Sequence, residues 1–72
     1  MENQYEHMVY QLINKRRKLN ISQEELSFTI GCSKDLVSKW ERFIRQPSGF
    51  MLGCWVQSLG LQIQITERRE ES

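Results

Sequence analysis

Histidine, proline and cysteine are scarce in this chain, and each scarcity removes a class of chemistry. The single histidine, His7, has no triad or metal companions in a defined motif. The two cysteines, Cys32 and Cys54, stand far apart, with no CxxC pair and no histidine spacing that would complete a zinc site. Two thiols without a disulfide framework suit a reducing compartment, so the expected location is cytoplasmic. Glycine occurs four times, never in a loop that could cradle a phosphate. No apolar run approaches the ~18 residues that cross a bilayer. The opening MENQYEHMVY lacks a basic stretch followed by an apolar core, so no secretory signal is expected. An enzyme, a metal protein, a cofactor binder and a membrane protein are all disfavoured.

What is present is a 72-residue chain with 39% hydrophobic residues, too apolar for a disordered composition. One small domain is implied. Such a domain is marginal alone, and a second copy is a fair expectation. The net charge of +1 hides an asymmetry. Residues 15–45 hold eight lysines or arginines against Glu24, Glu25, Asp35 and Glu41, a local balance of +4. A central positive bias of this kind can attract a polyanion. A charged helical face is also, more simply, a solvated one.

Periodicity then divides the chain. Tyr5, Met8, Val9, Leu12 and Ile13 recur at intervals of three and four, which predicts a helix over 4–18 that Asn20 can end. Ser22, with Glu25 three residues on, is a capping box for a second helix over 23–30 that buries Leu26 and Ile30. Small Ser27 between them allows another backbone to approach. Gly31 can stop that helix in the left-handed conformation. Ser33 is read as the cap of a third helix over 34–42, buried through Val37, Trp40 and Glu41, with Lys34, Asp35, Ser38 and Lys39 on its polar side. Pro47 interrupts, Ser48 caps a fourth helix over 49–59 that buries Leu52, Trp55, Val56 and Leu59, and Gly60 ends it.

The tail changes period. Leu61, Ile63 and Ile65 alternate with Gln62, Gln64 and Thr66, which predicts a short strand over 61–66 ahead of a charged tail, 67–72. A lone strand leaves its backbone groups unpaired. Two arrangements answer this: the same strand of a second copy across a two-fold axis, or packing on the chain's own helices.

Residues 21–41 thus hold two short helices joined by Gly-Cys-Ser, the mark of a helix-turn-helix. Its first helix start, at Ser22 and Gln23, offers free backbone amides to a phosphate, as does the next at Ser33. The polar face can meet base edges: Lys34 and Lys39 donate, Asp35 accepts as from a cytosine amine, and Ser38 is small.

ISQEELS, GCS and VSKWE together resemble the helix-turn-helix of the lambda and 434 phage repressor superfamily, the Cro/C1 or XRE type, over residues 12–61. The resemblance implies an all-α, lambda repressor-like domain of four to five helices over 1–60, followed by the dimerisation strand. It implies a sequence-specific regulator of transcription, expected to be a repressor, that binds double-stranded DNA as a homodimer near the nucleoid. It assigns base reading to Lys34, Asp35, Ser38 and Lys39. It assigns phosphate contact to Ser22, Gln23, Ser33, Arg42 and Arg45, although either arginine could be merely exposed. Gln23 would also brace the reading helix. Arg16 and Glu41 would form a structural ion pair. Two departures stand out. Phe43 occupies a place where the family usually has Gly or Asn, and Phe28 and Leu36 stand where polar residues are commoner. VQSLGLQIQI is similar to the ends of persistence-type antitoxins, which dimerise partly through a C-terminal strand. The alternative reading is therefore an antitoxin or other interaction module whose main partner is a protein toxin, meeting it through Phe28, Leu36 or the acidic end.

Overall fold

The four helices share a way of ending, and three of them share a way of starting. The computed structural model describes residues 3–65. It contains α1 (Gln4–Lys18), α2 (Gln23–Ile30), α3 (Leu36–Glu41) and α4 (Gly49–Ser58). At the starts of α1, α2 and α4 a short polar side chain accepts the amide of the residue three places on. Asn3 Oδ1 accepts from Glu6 N at 2.7 Å, Ser22 Oγ from Glu25 N at 3.0 Å, and Ser48 Oγ from Met51 N at 3.2 Å. Each bond satisfies one of the amides that a helix start leaves without an internal partner.

Every helix ends in a paired 6→1 and 5→2 closure around one left-handed residue. These residues are Asn20, Gly31, Phe43 and Gly60, with φ of 60°, 89°, 60° and 72°. The 6→1 bonds run from Ile21 N to Arg16 O, Cys32 N to Ser27 O, Ile44 N to Lys39 O and Leu61 N to Val56 O, all at 3.0–3.1 Å. Glycine and asparagine take this conformation cheaply, and phenylalanine does not. Phe43 is compensated by its ring. It meets Tyr5 edge-on at 6.3 Å between centroids and Tyr10 at 5.7 Å. The resulting aromatic cluster ties the start of α1 to the chain leaving α3.

One core joins all four helices. Val9 and Leu12 enter it from α1, Leu26 from α2, Val37 and Trp40 from α3, and Trp55, Val56 and Leu59 from α4 and its end. Trp40 and Trp55 lie 5.1 Å apart between ring centres, so α3 and α4 meet through their two largest side chains. Ile30 and Leu52, expected in the core, are half-buried at its edge, as is Leu36. Leu36 is therefore packing material rather than a stray surface apolar residue.

Three expectations are corrected. There is no β-strand among the described residues, so the fold is all-α with four helices. Residues 61–65 alternate in character, but none of the described residues forms a ladder with them. Leu61 is held by the closure of α4 and packs half-buried on the core, while Gln62, Ile63, Gln64 and Ile65 are exposed. Thr66, the last residue of the expected strand, and the 67–72 tail fall outside the described residues. Next, α3 starts at Leu36 rather than Lys34, and Lys34 and Asp35 belong to the turn before it. Finally, Ser33 does not cap α3 with its side chain. The residue at the cap position is Asp35, which makes no side-chain cap bond either. Instead the hydroxyl of Ser27, fully buried on α2, accepts the amide of Val37 at 3.3 Å. The α3 start is thus satisfied from the neighbouring helix.

The Tyr5 hydroxyl is buried without a hydrogen-bond partner among the described residues, and burial pushes its pKa up. Desolvation favours the neutral phenol, so the folded chain holds this proton more tightly than the unfolded chain. Stability is then lost as pH rises through the ordinary tyrosine range, about 10. Tyr5→Phe keeps the ring against Phe43 and removes the stranded hydroxyl. The variant is expected to match or exceed the parent by up to about 1 kcal/mol near neutral pH. It should also lose less stability in alkali, as followed by thermal melts across pH. A variant less stable than the parent at every pH would show that the hydroxyl is satisfied.

Candidate nucleic-acid interface

The angle between α2 and α3 is held by a small polar network. Arg16, near the end of α1, donates Nε to Glu41 Oε2 at 2.7 Å and a terminal nitrogen to Oε1 at 3.1 Å. Its other terminal nitrogen donates to the carbonyl of Ile21 at 2.8 Å. Gln23, at the start of α2, donates its side-chain amide to Glu41 Oε1 at 2.8 Å. One carboxylate at the end of α3 therefore ties down α1 and the first residue of α2, and the arginine it holds also ties down the α1–α2 turn. The two-point arginine contact fixes orientation as well as distance. The Arg16 and Glu41 side chains are 11% and 5% exposed, so water screens the pair little. Gln23 uses one amide hydrogen as the brace, and the other is left for an outside acceptor.

With Val37, Trp40 and Glu41 turned inward, helical spacing sets Asp35, Ser38, Lys39 and Arg42 on the outer face of α3. Lys34 stands just ahead of that face and is exposed. Ser38 and Arg42 are linked: Arg42 Nε donates to the Ser38 hydroxyl at 3.2 Å and to its carbonyl at 3.3 Å. Arg42, the cap residue just past α3, thus has its side chain laid back along the helix. The Ser38 hydroxyl, accepting from Arg42, retains its own hydrogen for donation.

Two open depressions take in further residues, one joining separated stretches of chain and one confined to the α1–α2 turn. Ser33 and Leu36 line one together with Arg45, Gln46, Pro47 and Ser48. Arg16, Arg17, Asn20, Ile21 and Ser22 line the other. Arg17 was not singled out from sequence. Its only signal there was membership of the basic run 15–18, and its position beside the α2 cap depends on the tight Asn20 closure. Lys34 sits apart from both, sharing a concavity with Ser22, Glu24, Glu25, Phe28 and Cys32. The two acids there oppose any anion approaching α2 from that side. Phe28 is 85% exposed, and Cys32 and Cys54 are free thiols.

Among the described residues no cluster of His, Cys, Asp or Glu could hold a metal ion, and no helix is long and apolar enough to cross a membrane. A family model described as helix-turn-helix matches residues 12–64, well over half of the chain. No curated protein and no solved structure matches it. The matched span takes in the whole Arg16–Gln23–Glu41 network, both helices that it locks together and the closing helix α4. The chain belongs to the XRE/Cro-type helix-turn-helix family, and it is a non-catalytic, DNA-binding regulatory domain.

Proposed function

We propose that the chain is a sequence-specific transcriptional regulator, acting as a repressor, whose α3 reads base edges in the major groove while two copies occupy an inverted pair of half-sites. The observation that carries this reading is the buried brace from Glu41 to Arg16 and Gln23, which holds α3 at a fixed attitude to the start of α2. An α-helix with its side chains is about 10–12 Å across. That matches the ~12 Å width of the major groove. Lys34, Ser38 and Lys39 donate to base acceptors, and Asp35 accepts from a cytosine amine. Ser22, Gln23, Ser33 and Arg45 contact phosphates, joined by Arg17. Arg42 lies between these roles, its guanidinium held along the reading face by Ser38. Phosphate contacts set position and base contacts set sequence. Two reading helices related by a two-fold axis select half-sites about one helical turn apart.

Selection of bound duplexes from a random pool is the direct test. A recovered sequence with inverted half-sites is the expected result, and recovery of unrelated sequences would end the proposal. On the selected duplex, Lys39→Ala is expected to cost about 1–3 kcal/mol while leaving random-duplex binding nearly unchanged. Arg45→Ala is expected to weaken both and to reduce the salt slope by about one ion. Equal losses for Lys39→Ala on the two duplexes would remove it from base reading.

One observation favours a second reading, in which a protein such as a cognate toxin is a principal partner. Phe28 is 85% exposed, and Glu24 and Glu25 lie beside it, an apolar and acidic pairing better suited to a protein than to a phosphate backbone. A protein that co-purifies through high salt and is lost in Phe28→Ser would support it.

A further inference from the structure

The exposed apolar residues of this domain differ in their charged company. Phe28 stands beside Glu24 and Glu25, and Ile44 lies between Arg42 and Arg45. The surface of α4 is different. None of its ten residues, GFMLGCWVQS, is charged. Phe50 projects from it with 79% of its surface exposed. Beside the ring lies an open concavity of about 370 Å³, lined in part by Gly53, Cys54, Gln57 and Ile63. Its floor is bare: a β-carbon added to Gly53 would meet nothing within 4 Å beyond its own helix and neighbours.

We propose that this face of α4 is the contact between two copies of the chain, with Phe50 of each seated over Gly53 of the other. A two-fold interface sets every group against a copy of its own surroundings, so it must be self-complementary. A patch carrying both a projecting ring and an adjacent hollow meets that condition in shape. A patch whose described residues carry no charge meets it in electrostatics, since a charged one would oppose like to like. The patch around Ile44, with Arg42 and Arg45, fails the second condition, and that around Phe28, with two acids to the one Lys34, meets it less well. The area is modest. A phenylalanine buries on the order of 150 Å². Two such rings alone supply on the order of 300 Å², well short of the roughly 1,200 Å² of a stable complex. The contact is therefore weak between free chains and forms when neighbouring half-sites hold two copies together. This inference rests on the DNA-reading proposal above.

Two substitutions test it in the full chain. Gly53→Arg fills the hollow with a charge, at a helical position where arginine is the better helix former. Phe50→Ala removes the ring from a site too exposed to affect the core. Both are expected to melt like the parent. Each should keep the parent's affinity for a duplex bearing one half-site and lose roughly 100-fold on a duplex bearing the inverted pair. Variants that bind the pair as the parent does would overturn the interface and leave DNA reading intact. So would a parent that gains nothing from the second half-site. Should the parent not distinguish selected from random duplex, the DNA-reading proposal fails, and sedimentation of the free chains at high concentration decides the surface. Self-association by the parent and not by Gly53→Arg would support it, and a strictly monomeric parent would overturn it. A parent that stays monomeric with and without DNA, yet forms with a different protein a complex lost in Gly53→Arg, would also overturn it, assigning the face to that partner.

Discussion

Glu41→Ala is expected to destabilise the domain by about 3–5 kcal/mol, the cost of leaving one member of a buried ion pair without its partner. The alanine itself is harmless in a helix. The loss arises in the groups left behind. The Arg16 side chain is only 11% exposed and would keep the Ile21 carbonyl alone, with its charge uncompensated in a poorly hydrated place. Gln23 would lose the acceptor of its side-chain amide. Small domains have little to spare, with total stabilities of about 5–15 kcal/mol, so the variant is expected to be largely unfolded on modest warming. Denaturant titration measures this directly. A loss below about 1 kcal/mol would place the pair among solvated surface contacts.

A companion variant separates stability from positioning. Arg16→Met with Glu41→Leu replaces both charges by apolar side chains of similar bulk, and such exchanges are often neutral or stabilising. Most of the loss in Glu41→Ala should therefore be recovered. The two-point fixation of α3 would not be recovered. The double variant is expected to fold yet discriminate poorly between selected and random duplex. A double variant that folds and reads DNA like the parent would show that packing of Val37 and Trp40 alone sets the attitude of α3.

Much of the fold was legible because most of its signals are local. Ser22 and Ser48 cap from three residues away, and Asn20, Gly31 and Gly60 close their helices with partners inside the preceding turn. Two errors share one cause, which is that the deciding partner is distant in the chain. The start of α3 was placed at Ser33 because a serine after Gly-Cys has the look of a cap. The hydroxyl that serves α3 is that of Ser27, ten residues before the amide it accepts, and local spacing contains no trace of it. The alternation of residues 61–65 describes which side chains would share a face of a strand. Whether a strand exists is decided by a ladder partner, and none lies among the described residues. The candidate site divides similarly. Arg16 and Glu41 stand 25 positions apart, and only resemblance to a known pattern brought them together in advance. The sequence places Arg42 last in a helix over 34–42, whereas α3 ends at Glu41 and Arg42 is its cap residue, with only its side chain laid back on Ser38. Phe50 went unnoticed, since a cap at Ser48 says where α4 begins but not which side of it the core leaves bare.

At position 43 the expected order of stability is phenylalanine above glycine above alanine, an inversion of what side-chain size predicts. The backbone there has φ of 60°, and it must, because this residue closes α3 with Phe43 N on Trp40 O and Ile44 N on Lys39 O. A residue with a β-carbon carries about 1–2 kcal/mol of strain in that region. Phenylalanine offsets it with its ring, which is 40% exposed and meets Tyr5 and Tyr10 edge-on. Partial burial and two aromatic contacts together contribute about 2–3 kcal/mol. Phe43→Ala forfeits those contacts and keeps the strain, so it should lose most or all of that amount. Phe43→Gly forfeits the same contacts but releases the strain, and should lie about 1 kcal/mol above alanine. Chemical denaturation of the three proteins reads the order. Alanine at or above glycine would mean that the closure of α3 does not need the left-handed conformation. The order bears on function through Arg45, which follows two residues later and shares its depression with Ser33. The aromatic cluster sets where the chain departs from α3, so losing it should lower the affinity for every duplex alike rather than the preference for one sequence.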